Sequence, residues 1–144
     1  MTRLHFQPIL GKNVEIINAM LHHKELALVD EALYRKLYVV VGELVTNIVN
    51  YAYPDGENDY LDVEIMHGEK LVTIRFHDGG IPFNPLEKDP PDTTLPMSQR
   101  PIGGLGILLV IQNVDTIAYE YIDSENVLTI TLKKYSARKP AGSD

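Results

Sequence analysis

Val39-Val40-Val41-Gly42-Glu43-Leu44-Val45-Thr46-Asn47-Ile48-Val49-Asn50-Tyr51-Ala52-Tyr53 is an apolar run broken by a few polar residues at regular spacing. Upstream, Leu33, Leu37 and Val40 continue through Leu44, Ile48 and Tyr51 at intervals of three and four, the period of a helix that buries one stripe. Asp30 is placed to cap its first turn, and Pro54-Asp55-Gly56 ends it in a turn. The pattern predicts one long helix over about 31–52. On it Glu43, Asn47 and Asn50 fall at i, i+4 and i+7, a polar line beside the apolar stripe. A solvated helix face is the ordinary reading of such a line. Glu43 and Asn47, however, are embedded among valines, leucine and isoleucine. A buried polar group needs a partner, which a bound metal or phosphate can supply.

Tyr60 to Met66 and Leu71 to Phe76 are β-rich runs joined by His67-Gly68-Glu69-Lys70, so a hairpin follows the helix. On the N-terminal side, Arg3-Leu4-His5-Phe6-Gln7 alternates as a half-buried strand does and stops at Pro8. A first amphipathic helix begins after Gly11, with Val14, Ile17 and Leu21 as its stripe and Ile16 and Met20 widening it. Six of the nine prolines lie between Pro82 and Pro101, a density that neither helix nor sheet tolerates. A loop of that length in a small domain is commonly a functional lid. Ile102 to Val114 is expected to form a third helix, and Thr116 to Ile122 and Val127 to Tyr135 a last hairpin. The order strand, helix, helix, hairpin, loop, helix, hairpin predicts a two-layer α/β sandwich: a mixed, mainly antiparallel sheet with helices on one face. The domain is expected to span 1–135, with 136–144 a polar tail.

The 144 residues suit one domain, and a net charge of −7 disfavours sequence-independent binding to a phosphate backbone, so no nucleic-acid partner is expected. The chain lacks cysteine, which excludes disulfides, thiolate zinc sites and cysteine nucleophiles. No apolar run approaches the roughly 20 residues of a membrane span, and Met1 to His5 leads into nothing of signal-peptide character. A cytoplasmic protein without membrane contact is the expectation.

Two further constellations carry chemistry. His77-Asp78-Gly79-Gly80-Ile81-Pro82-Phe83-Asn84-Pro85 follows directly on a strand. It reads as a turn, but one whose glycines let a ligand approach the backbone and whose carboxylate can accept from an exocyclic amine. Gly103-Gly104-Leu105-Gly106-Ile107 is a glycine-rich helix entry, where free N–H groups and the positive dipole end favour phosphate. It is not a dinucleotide fingerprint, since Leu109 stands where a glycine is needed and a proline-rich loop precedes it. No P-loop, no protein-kinase catalytic loop and no nucleophile elbow occur. His22-His23 and His67 lack zinc-site spacing.

Taken in order, Glu43-xxx-Asn47-xxx-Tyr51-Ala52-Tyr53, Asp78-Gly79-Gly80-xx-Phe83-Asn84-Pro85 and Gly103-Gly104-Leu105-Gly106-Ile107 resemble the three nucleotide-binding boxes of the gyrase, chaperone, histidine-kinase and MutL ATP-binding superfamily, most of all its anti-sigma factor serine/threonine kinases. The resemblance runs from about residue 3 to 135. It implies the Bergerat-type ATP-binding fold, with ATP and Mg²⁺ as cofactors. It implies that Asp78 binds the adenine amino group with support from Thr129, that Asn47 holds the metal, and that Asn50, Tyr51, Gly80 and Phe83 help to form the nucleotide site. Gly103, Gly104, Leu105 and Gly106 would cradle phosphate, Arg100 would reach it from the lid, and Glu43 would be the general base on an attacking serine hydroxyl. The partners implied are an anti-anti-sigma-type protein substrate, a sigma factor or another regulator, and a second copy in a homodimer. A non-catalytic, nucleotide-gated binding module of the same fold is the alternative.

Overall fold

The computed structural model describes residues 1–56, 59–87 and 104–134, with Gly104 and Leu105 by their backbone alone. The expected tail, Arg100, Gly103 and most of the lid lie outside the described residues.

Among the described residues five strands and four helices follow one another as β1 (Thr2–Phe6), α1 (Asn13–Leu21), α2 (Lys24–Ala27), α3 (Glu31–Tyr51), β2 (Leu61–His67), β3 (Leu71–Asp78), α4 (Gly104–Asn113), β4 (Thr116–Ile122) and β5 (Glu125–Lys133). A 3-10 turn, Pro85–Glu87, follows β3. The sheet order is β1-β2-β3-β5-β4, and every neighbouring pair is antiparallel. The sandwich expected from sequence is therefore present, with its mixed sheet resolved into an antiparallel one among the described strands.

The long helix forms where its periodicity places it. Its N-terminus is closed by Asp30, whose Oδ1 accepts from the Leu33 amide at 2.9 Å. Leu33, Leu37, Val40, Val41, Leu44, Val45 and Val49 are buried, and they meet Val72, Ile74 and Phe76 of β3 and Leu128, Ile130 and Leu132 of β5 in one core. Burial of this apolar area is the main stabilising term. The opposite sheet face is polar: Arg3 and His5 hydrogen-bond Asp62, and His77 hydrogen-bonds Glu64.

Three local expectations shift. In α1 the buried residues are Ile16, Met20 and Leu21, while Val14 is exposed, because an i, i+4 pair turns the stripe toward α3. The four-residue α2 has too few positions to show a helical period. The last hairpin turns on Asp123 and Ser124 alone, both at positive φ, so β5 begins at Glu125 and brings Asn126 inside the ladder.

Candidate functional site

A cleft opens between the C-terminal half of α3 and the ends of β3 and β5. Leu44, Asn47, Ile48, Tyr51 and Ala52 of the α3 side face Phe76, Asp78 and Leu128 of the sheet, with Ile81, Phe83, Pro85 and Tyr119 around the rim. The walls are mostly apolar and the polar groups few, the usual constitution of a small-molecule site.

Asp78 is the buried carboxylate of this cleft. It is the last residue of β3, on the same side of the strand as Phe76, Ile74 and Val72, so the alternation that buries those three also turns Asp78 inward. Its Oδ1 accepts from Asn126 Nδ2 at 2.9 Å and from the Gly80 amide at 3.0 Å. Burial pushes its carboxyl above the usual carboxylate range, and those two hydrogen bonds hold it back in part.

Asn126 was not singled out as a site residue from sequence, yet it organises this end of the cleft. Register places it opposite Asp78 on β5. Its amide donates to Asp78 and, at 2.8 Å, to the Ile81 carbonyl. Its Oδ1 accepts from the Phe83 amide at 3.0 Å and from the Tyr119 hydroxyl. A signal was available: Asn126 shares the parity of Leu128, Ile130 and Leu132, so it is an asparagine on the apolar side of a strand. The same parity corrects Thr129. It lies opposite Arg75, with Oγ1 accepting from Arg75 Nε at 3.2 Å on the polar sheet face, and the structure does not bring it to the cleft.

Gly80 is required by close approach. A Cβ there would stand 2.2 Å from the Ala52 carbonyl oxygen, the atom that also accepts from the Ile81 amide at 3.0 Å. The glycine thus lets the turn after β3 sit on the end of α3.

At the other end, Asn47 is half-buried and lines the cleft, and Tyr51 lies one turn beyond it. Asn50 is exposed and lines no part of the cleft, which Asn47 and Tyr51 line instead. Glu43 is half-buried, one turn before Asn47. Its carboxylate rests against the first turn of α4, where a Cβ on Gly106 would meet Glu43 Oε2 at 2.3 Å. Gly104 opens α4 and Leu105 follows it. Among the described residues no group of three or more His, Cys, Asp or Glu could hold a metal ion. Asn47 could supply one oxygen ligand, which suits Mg²⁺, a cation that keeps water and phosphate oxygens around it.

A family model described as the histidine kinase-like ATPase domain matches residues 12–132, which include the α3 box, the turn after β3 and the entry to α4. The serine-protein kinase RsbW of Oceanobacillus iheyensis is 29% identical over 113 residues, 75% of this chain and 69% of that protein. The proteins of the same name from Bacillus thuringiensis and Bacillus cereus are 30% identical over 112 residues, 74% of this chain and 66% of theirs. With the match spanning the helical layer and the β2 to β5 part of the sheet, the chain belongs to the histidine kinase-like ATPase domain family.

Proposed function

We propose that the cleft binds Mg·ATP and that the chain is a regulatory protein serine/threonine kinase, phosphorylating an antagonist of the anti-anti-sigma type and sequestering a sigma factor or another regulator. The observation that carries the reading is the division of the cleft. A buried carboxylate, Asp78, stands at one end of an apolar slot and Asn47 lines the other, with Glu43 one turn before Asn47 on α3 and packed against the first turn of α4. A flat purine suits the apolar walls of Ile48, Phe83 and Leu128, and its exocyclic amine suits a carboxylate already held in place. The kinases similar to this chain are named as serine-protein kinases, which supports the reaction class.

In this reading Asn47 offers the metal its side-chain oxygen, and the metal when bound neutralises phosphate charge. Glu43 accepts the proton of a protein serine hydroxyl as its oxygen bonds to the terminal phosphorus and the bond to the bridging oxygen of ADP breaks. The glycine-rich entry to α4 offers backbone N–H groups to the phosphates. A homodimer in the cytoplasm belongs to the same proposal.

The test is transfer of labelled terminal phosphate from ATP to a candidate antagonist. Glu43→Ala should keep Mg·ATP affinity and slow transfer by about 10²–10⁴-fold, the usual worth of a positioned general base. Asn47→Ala should weaken Mg-dependent binding and transfer together. A wild-type chain that binds ATP and transfers nothing leaves the nucleotide-gated binding module as the function, whereas a Glu43 variant with a normal rate removes Glu43 as the general base.

A further inference from the structure

The turn that carries Asp78 is held at three consecutive amides by three different acceptors. Gly79 N–H donates to the Tyr53 hydroxyl at 2.8 Å, Gly80 N–H to Asp78 Oδ1 at 3.0 Å, and Ile81 N–H to the Ala52 carbonyl at 3.0 Å. Two of the three acceptors, Ala52 and Tyr53, directly follow α3, the helix that bears Glu43 and Asn47. The Tyr53 hydroxyl does more than accept from Gly79. It accepts from the Tyr60 amide at 3.2 Å and donates to the Tyr60 carbonyl at 2.6 Å. A phenol has one proton to give and two lone pairs to fill, so its capacity is fully used on backbone groups. The Tyr60 ring lies against Gly79, where an added Cβ would meet it at 2.7 Å. Burial pushes the Tyr53 hydroxyl above its usual value, which keeps the donating proton in place.

We propose that Tyr53, which lines no part of the nucleotide cleft, is a positioning residue for base recognition: its hydroxyl fixes the Gly79 amide, and through it the direction in which the Asp78 carboxylate faces the ligand. The inference rests on the reading of Asp78 as the group that meets the adenine amine. The Ala52 anchor is backbone and the Gly80 anchor is Asp78 itself, so Tyr53 is the one of the three that a side-chain substitution removes without touching the ligand-facing group.

Tyr53→Phe deletes a single oxygen and keeps the ring. Calorimetry with ADP and with inosine diphosphate, which carries an oxygen in place of the amine, reads Asp78 directly as the ratio of the two affinities. The wild type should prefer ADP, and Tyr53→Phe should lower that preference about tenfold, roughly the loss of one hydrogen bond to a group that orients a charge. A merely structural role would lower the melting temperature and scale both affinities alike. Tyr38→Phe, an exposed tyrosine on α3, should change neither. If Tyr53→Phe keeps the wild-type preference, the inference is overturned while the adenine cleft stands. A wild type that does not separate ADP from inosine diphosphate overturns both. Should the variant melt below the assay temperature, hydrogen exchange at Gly79 in the nucleotide-free wild type decides: slow exchange supports a preset turn, and exchange at the unprotected rate overturns it.

Discussion

The two ends of the cleft are built by different means. Around Asp78 the polar groups are tied to one another: Asn126 bonds Asp78, Ile81 and Phe83, and the amides of residues 79, 80 and 81 each have an acceptor. At the other end Glu43 and Asn47 share one helix face, and among the described residues no side-chain hydrogen bond ties either of them. What places Glu43 is space, the room that Gly106 leaves for its carboxylate. On the proposed reading a base would meet a group preset before it arrives, whereas phosphate, metal and hydroxyl would supply partners to groups that wait for them.

Substitutions that act on one end alone break this contrast. The largest effect is expected from Gly106→Ala. The added methyl would take the space of Glu43 Oε2, and since that oxygen ends a flexible side chain, the carboxylate moves and the helix does not. Alanine also suits a helix better than glycine by about 1 kcal/mol. Phosphoryl transfer should fall about 10²-fold, the order expected for a group displaced by about 1 Å, with an unchanged or raised melting temperature. Retention of the normal rate would show that Glu43 is not held by this packing. At the preset end, Asp78→Asn should weaken ADP and ATP alike by about tenfold, the value of a charge-assisted hydrogen bond of about 1.5 kcal/mol. Equal affinities for variant and wild type in calorimetry would remove Asp78 from the site.

The parts of this arrangement that are local in the chain were legible in it. The period of α3, its Asp30 cap and the one-turn spacing of Glu43 and Asn47 are set by neighbours along a single helix. Asp78 stood out because two glycines follow a strand. The role of Asn126 depends on which β5 residue lies opposite Asp78, a pairing across 48 positions that a hairpin turning one residue later would have altered. Thr129 was assigned by resemblance against the alternation of its own strand, and the alternation decided its face. Tyr53 reads in sequence as the residue before a proline turn. Only the meeting of α3 with the starts and ends of two strands shows that its hydroxyl serves three backbone groups.

The smallest effect sharpens the contrast between the cleft and the open face of the sheet, through two aspartates moved in opposite directions. Burial pushes both carboxyls up. At Asp78 the hydrogen bonds from Asn126 and Gly80 do not cancel it, whereas at Asp62 hydrogen bonds and charge from His5 and Arg3 outweigh it and hold the group below its usual value. The unfolded reference for both lies near pH 4. A lowered carboxyl stabilises the fold above that reference and loses the contribution as pH falls through the folded value; a raised one costs stability at neutral pH and ceases to do so as pH falls through its folded value. Asp62→Asn should therefore lower the melting temperature at pH 7, with a loss of stability of no more than about 1 kcal/mol because the Arg3 and His5 side chains are more than half exposed. Asp78→Asn should raise it, since an asparagine oxygen can still accept from Asn126 and Gly80 without carrying a buried charge. The Asp78 difference should shrink as pH falls through its raised folded value toward pH 4, and the Asp62 difference as pH falls below about 4. Thermal unfolding of the three proteins at pH 7 and pH 3.5 checks the signs. If Asp78→Asn destabilises at pH 7, Asp78 serves the fold as well as the ligand, and the end of the cleft it occupies is held by its charge and not only by its hydrogen bonds.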